Sequence, residues 1–168
     1  MLDRIIECVP NFSEGKSKEV IDLITNEVRL ISNVKLLDVD MGFDTNRTVV
    51  TFAGDPESVI EAAFHAIKKA SELIDMRVHD GAHARMGATD VCPIIPIQNV
   101  SIEECVEYSK KLAKKVGDDL KIPIFLYEHS ARFDLRKNLA NIRLGEYEGM
   151  EQKLKLKEWK VDYGPQAL

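Results

Sequence analysis

An α+β fold, with helices on one face of a mixed sheet, is predicted by three observations. Short β-branched runs alternate with amphipathic helical repeats, turn-forming residues separate them, and their order is strand, helix, strand, strand, helix, strand. That order is the ferredoxin-like βαββαβ unit, followed here by an extra helix, an extra strand and one or two tail helices. The 168 residues, 45% hydrophobic and 30% charged, are enough for one sizeable core, so a single domain over 1–168 is expected.

Residues 4–9 (RIIECV) are β-rich and stop at Pro10-Asn11, which predicts a buried first strand running into the loop PNFSEG. Ser17 can cap the next segment, KEVIDLITNEVRLI, whose Val20, Ile21, Ile24, Val28 and Ile31 form one apolar stripe at helical spacing. Residues 34–40 (VKLLDVD) and 47–53 (RTVVTFA) are strand-like and joined by the turn sequence MGFDTN, so they should pair as neighbours. Pro56 stands at a first-turn position, and Val59, Ala62, Ala63, Ala66, Ile67 and Ala70 carry a second helix to residue 74. Periodicity then collapses across DMRVHDGAHARMGAT. Strand character returns in DVCPIIPI (90–97), whose two prolines fit an edge or irregular strand. A third helix over 101–116 starts with Ser101 and Glu104 at capping-box spacing, and PIFLYE (123–128) is expected as one more strand. Helices on one face leave the other face of the sheet needing cover, which implies a partner domain or chain.

Composition narrows the function. With 28 acidic against 23 basic residues the chain lacks the basic excess of a nucleic-acid binder, and a small-molecule partner is expected. Cys8, Cys92 and Cys105 are odd in number and have no CxxC spacing, which argues against a disulfide framework and a zinc ribbon and fits the cytoplasm. The first ten residues lack the basic start and apolar run of a secretory signal, and no stretch approaches the roughly 18 apolar residues of a membrane helix.

Three polar loops stand out: PNFSEG, DVDMGFDTNRT and HDGAHARMG. The third gathers His79, Asp80, His83 and Arg85 between glycines. Its two histidines read as a metal pair, as hydrogen-bonded residues of a polar loop, or as the source of one imidazole acting as acid and base. Gly81 and the lack of an HExxH glutamate weigh against the metal pair. Arg85 reads equally as a structural ion-pair partner and as an anchor for a substrate carboxylate. Asp38 and Asp40, two apart on a strand, share a face and either orient a histidine or cap a turn.

With these loops in view, the chain resembles the formiminotransferase family, N-terminal subdomain. The likeness is carried by ECVPNFSEG (7–15), LLDVDMGFDTNRTV (36–49), LIDMRVHDGAHARMGATDVCPIIPI (73–97), LGEYEG (144–149) and DYGP (162–165), in order over residues 5–165. The resemblance implies a transferase that moves the formimino group of N-formimino-L-glutamate to tetrahydrofolate in histidine degradation. It further implies two ferredoxin-like subdomains with folate between them, this chain being the first. Tetrahydrofolate is then the co-substrate, no metal is needed, and the expected partner is a second subdomain or another copy, with no nucleic acid or membrane. A catalytic histidine in a segment similar to HxRMG falls on His83, and His79 also has a counterpart in the motif. On this reading Asp40 holds the His83 ring, Arg85 binds a carboxylate of glutamate or folate, and Gly164, Pro165 and Gln166 begin a folate-contacting stretch. The alternatives are a formyl donor and a noncatalytic folate-binding subunit. Nothing in the chain resembles the cyclodeaminase domain fused to some relatives.

Overall fold

The computed structural model describes residues 3–168 and forms one six-stranded sheet with three long helices. Strands β1 (Ile5–Cys8) and β2 (Asn11–Phe12) lie end to end along one edge of β4 (Arg47–Gly54), and β3 (Val34–Gly42) lies along the other. Outside β1 and β2 run β6 (Ile94–Gln98) and β5 (Thr89–Val91), respectively. Pro10 interrupts the first pair and Pro93 the second, at the same level, where Val9 N donates to Pro93 O at 3.2 Å. Six strands thus act as four.

All five pairings are antiparallel, which corrects the expected mixed sheet. Each helical crossover skips over an oppositely directed strand: β4 separates β1 from β3, and β1 separates β4 from β6. A parallel neighbour for β6 would have been the expected strand at 123–128, but that segment does not join the sheet. Its backbone is spent on the tail instead. Pro123 has no N–H, Ile124 N donates to Tyr163 O at 2.9 Å, and Leu126 N donates to the Asp162 carboxylate at 2.8 Å.

The helices form where their caps predict. Ser17 accepts from Val20 N to start α1 (Lys18–Arg29), Asp55 accepts from Ser58 N to start α2 (Pro56–Leu73), and the Ser101–Glu104 capping box starts α3 (Ile102–Lys115). Ile21, Ile24 and Val28 of α1 and Ala62, Ala63, Ala66 and Ala70 of α2 close over Ile6, Cys8, Val50 and Phe52 in one core. Burying Phe52 completely contributes about 1.5–3 kcal/mol. On β4 the burial alternates, so Val49 and Thr51 face the other way, opposite Asp40 and Asp38. That second face stays uncovered among the described residues, and Asp38, Asp40 and Ile95 are exposed.

The tail carries short helices, among them α4 (Leu139–Arg143) and α5 (Met150–Lys153). Arg136 anchors it: the side chain is fully buried, donates to Asp162 and to the carbonyls of Glu158 and Lys160, and sits among the rings of Phe125, Phe133 and Trp159.

Candidate active site

The three polar loops meet at one end of the sheet, and Asn46 is the residue that joins them. Buried and left-handed (φ 48°), it closes the turn between β3 and β4. Its carbamoyl oxygen accepts from Gly15 N at 2.8 Å and its nitrogen donates to Asp80 O at 2.8 Å. Its backbone carbonyl accepts from His79 Nε2 at 3.0 Å. Ala82 N donates to Asp44 O at 3.1 Å, and Ser13 Oγ donates to Gly87 O at 2.7 Å. Backbones approach too closely here for side chains: a Cβ on Gly15 would lie 2.1 Å from Gly42 O, and one on Gly81 would lie 2.4 Å from Thr45 O.

The two histidines have opposite fates. Arg85 Nε donates to His79 Nδ1 at 3.0 Å, and because a guanidinium is always a donor, His79 is a neutral ring protonated on Nε2. Both of its nitrogens are engaged. His83 is half-buried; its Nδ1 donates to Ala84 O at 2.7 Å, which leaves Nε2 as the lone-pair nitrogen, with no partner among the described residues. Of the pair, only His83 has a nitrogen free to take a proton from a ligand.

Around these rings lies a charged frame. Arg85 is buried and forks onto Glu148 with contacts of 2.6 and 2.8 Å, while another donor reaches His79 O. The hydrogen bonds from Arg85 hold the Glu148 carboxyl down at about 2. Tyr147 N donates to Arg85 O at 3.0 Å, so the LGEYEG segment is clamped to the histidine loop. Beneath it the buried Asp90 carboxylate receives Arg47 at 2.7 Å, Arg143 at 2.6 Å and Met86 N at 2.7 Å, and Arg47 also holds the Asn11 side chain. Among the described residues no group of three or more His, Cys, Asp or Glu side chains is arranged to hold a metal ion.

Residues 5–168 match the model of the formiminotransferase domain, N-terminal subdomain. The chain belongs to this family. It is 51% identical over 98% of its length to a formimidoyltransferase-cyclodeaminase of Dictyostelium discoideum, of which it covers 30%. It is 49% identical to a glutamate formimidoyltransferase of Streptococcus pyogenes serotype M1 and 42% identical to one of Thermoplasma acidophilum, in each case over 98% of this chain and 55% of the relative. The chain therefore spans between about a third and about half of the relatives it matches.

For this formiminotransferase subdomain, the site residues expected from sequence separate into three groups. His83 lies in the histidine loop with its Nε2 unpartnered among the described residues. Arg85 has its fork on Glu148 and His79, and a buried guanidinium without these partners would be costly. Asp40 makes no hydrogen bond to His83 among the described residues, where Ala84 O takes Nδ1. Gly164, Pro165 and Gln166 lie against the far end of α3, where Gly164 packs on Gly117, and the Gln166 amide is bonded to Leu154 O, Trp159 O and Val161 N. No hydrogen bond links them to the histidine loop among the described residues. Sequence reasoning passed over Asn46, Asp90 and Glu148. Asp90 carried a signal, because an acid at the head of the apolar run VCPIIPI needs a partner if the strand is buried.

Proposed function

We propose that this subdomain supplies the proton-transfer half of a glutamate formimidoyltransferase, with N-formimino-L-glutamate as donor and tetrahydrofolate as acceptor. A folate amine nitrogen attacks the formimino carbon, a tetrahedral adduct forms, and the glutamate nitrogen departs with a proton. His83 Nε2 takes the proton of the attacking amine and returns one to the leaving nitrogen. The observation that supports this reading is the contrast between rings: His83 keeps a free basic nitrogen on a loop pinned by Asn46, whereas His79 has none.

Asp40, exposed on the uncovered face of the sheet, is then placed to stabilise the positive charge of a protonated formimino group rather than to orient the histidine. That face is the side on which the second subdomain would close the cleft. Gly164, Pro165 and Gln166 border the folate site on this reading, their path fixed by the anchored Gln166 amide.

The test is reconstitution. The chain is assayed alone and after mixing with a second formiminotransferase subdomain, with tetrahydrofolate and either the formimino or the formyl donor. Formimino transfer that appears on mixing supports the proposal. Binding of folate with no turnover of either donor would establish a noncatalytic subunit, and turnover of the formyl donor alone would change the substrate.

A further inference from the structure

Cys8 ends β1 and Cys92 lies in the break between β5 and β6, and their sulfurs are 3.5 Å apart. Both are free thiols, as is Cys105. Cys8 is completely buried. Cys92 is half-buried and, with Cys105, lines an apolar cavity of about 970 Å³ bounded by the end of α2, by α3 and by residues 121–130. The cavity gives a small thiol-reactive molecule a route to Cys92 that Cys8 lacks.

We propose that Cys8 and Cys92 form a thiol–disulfide exchange site, in which Cys92 attacks a low-molecular-weight disulfide such as oxidised glutathione and Cys8 resolves the product. In the first step the Cys92 thiolate displaces one glutathione thiolate and is left as a mixed disulfide. In the second the Cys8 thiolate attacks the Cys92 sulfur and releases the other glutathione. The two cysteines give up two electrons and two protons, and oxidised glutathione becomes two molecules of reduced glutathione.

Geometry favours the pair over any other use of these thiols. Joining the sulfurs closes a gap of about 1.5 Å, within reach of side-chain rotation where the strands are already interrupted by Pro10 and Pro93. The bond would staple the two broken strands immediately below Asn11 and Asp90, the two groups that hold Arg47. The hydrogen bond with Cys92, together with burial, pushes the Cys8 thiol well above its ordinary range.

The full chain, treated with oxidised glutathione at pH 8, is expected to fall from three titratable thiols to one, with peptide mapping linking Cys8 to Cys92 and a reductant restoring all three. C105S should crosslink as fast as the unmodified chain, and C8S should stop at glutathione-modified Cys92. A chain that retains Cys8 as a thiol beside modified Cys92, or that joins Cys92 to Cys105, overturns the proposal.

Discussion

The helix-covered face of the sheet and its loop-bearing end are held together by different chemistry. On the covered face, residues such as Ile24, Phe52 and Ala63 are buried in one apolar cluster, and another apolar residue of similar volume would serve nearly as well. At the loop end, Asn46, Arg85 and Asp90 hold backbone and side-chain groups through directional bonds that tolerate no isostere. Apolar contact supplies stability without fixing position finely; the polar frame fixes where His83 stands.

The sharpest break between the two regions is His83 against His79. His83→Ala is expected to lower turnover of the reconstituted enzyme about 100- to 10,000-fold while leaving the melting temperature unchanged. His79→Ala should lower the melting temperature, since it strands an Arg85 donor and the Asn46 carbonyl for about 1–3 kcal/mol. Rate loss without thermal loss in the His79 variant would reverse the assignment.

Next in size is the buried ion cluster. Asp90→Asn leaves Arg47 and Arg143 facing a neutral amide and should reduce stability by about 3–5 kcal/mol in denaturant titration, as much as deleting a large core side chain. An effect below 1 kcal/mol would mean that the frame is decorative. Gly15→Ala drives a methyl into Gly42 O and should cost about 1–3 kcal/mol, with hydrogen exchange rising first at Asn46 and Ala82.

The smallest effect is in acid. Glu148 has a folded pKa of about 2, below the ordinary carboxyl value, so its contribution is complete above about pH 4.3 and is lost as pH falls toward 2. Because its side chain is largely exposed, the contribution is expected within about 0.2–1 kcal/mol. Melting curves from pH 5 to pH 3 should fall slightly less steeply for Glu148→Gln than for the native chain, and equal slopes would remove the carboxylate from the frame.

How much of this was legible in the sequence follows the same division. Caps and apolar stripes are local, and Ser17, Pro56 and Ser101 mark their helix starts directly. The histidine loop announced itself by composition. Roles inside the frame depend on partners far along the chain: Arg85 meets Glu148 from 63 residues away and Arg47 meets Asp90 from 43, and neither spacing has a periodic signature. The expected strand at 123–128 failed for the same reason. Its β-forming side chains were read correctly, but the pairing partner was the tail at Asp162 and Tyr163 rather than the sheet.

The prolines of β6 reach beyond local geometry. An outermost strand is a template on which another polypeptide can polymerise, and β6 withholds that template by lacking amide hydrogens at Pro93, just before it, and at Pro96 within it. The opposite margin, β3, has no proline across its nine residues and relies on the charges of Lys35, Asp38 and Asp40 to repel unwanted neighbours. Neutralising those three charges should therefore raise the tendency of chains to pair edge to edge, and from the β3 side first.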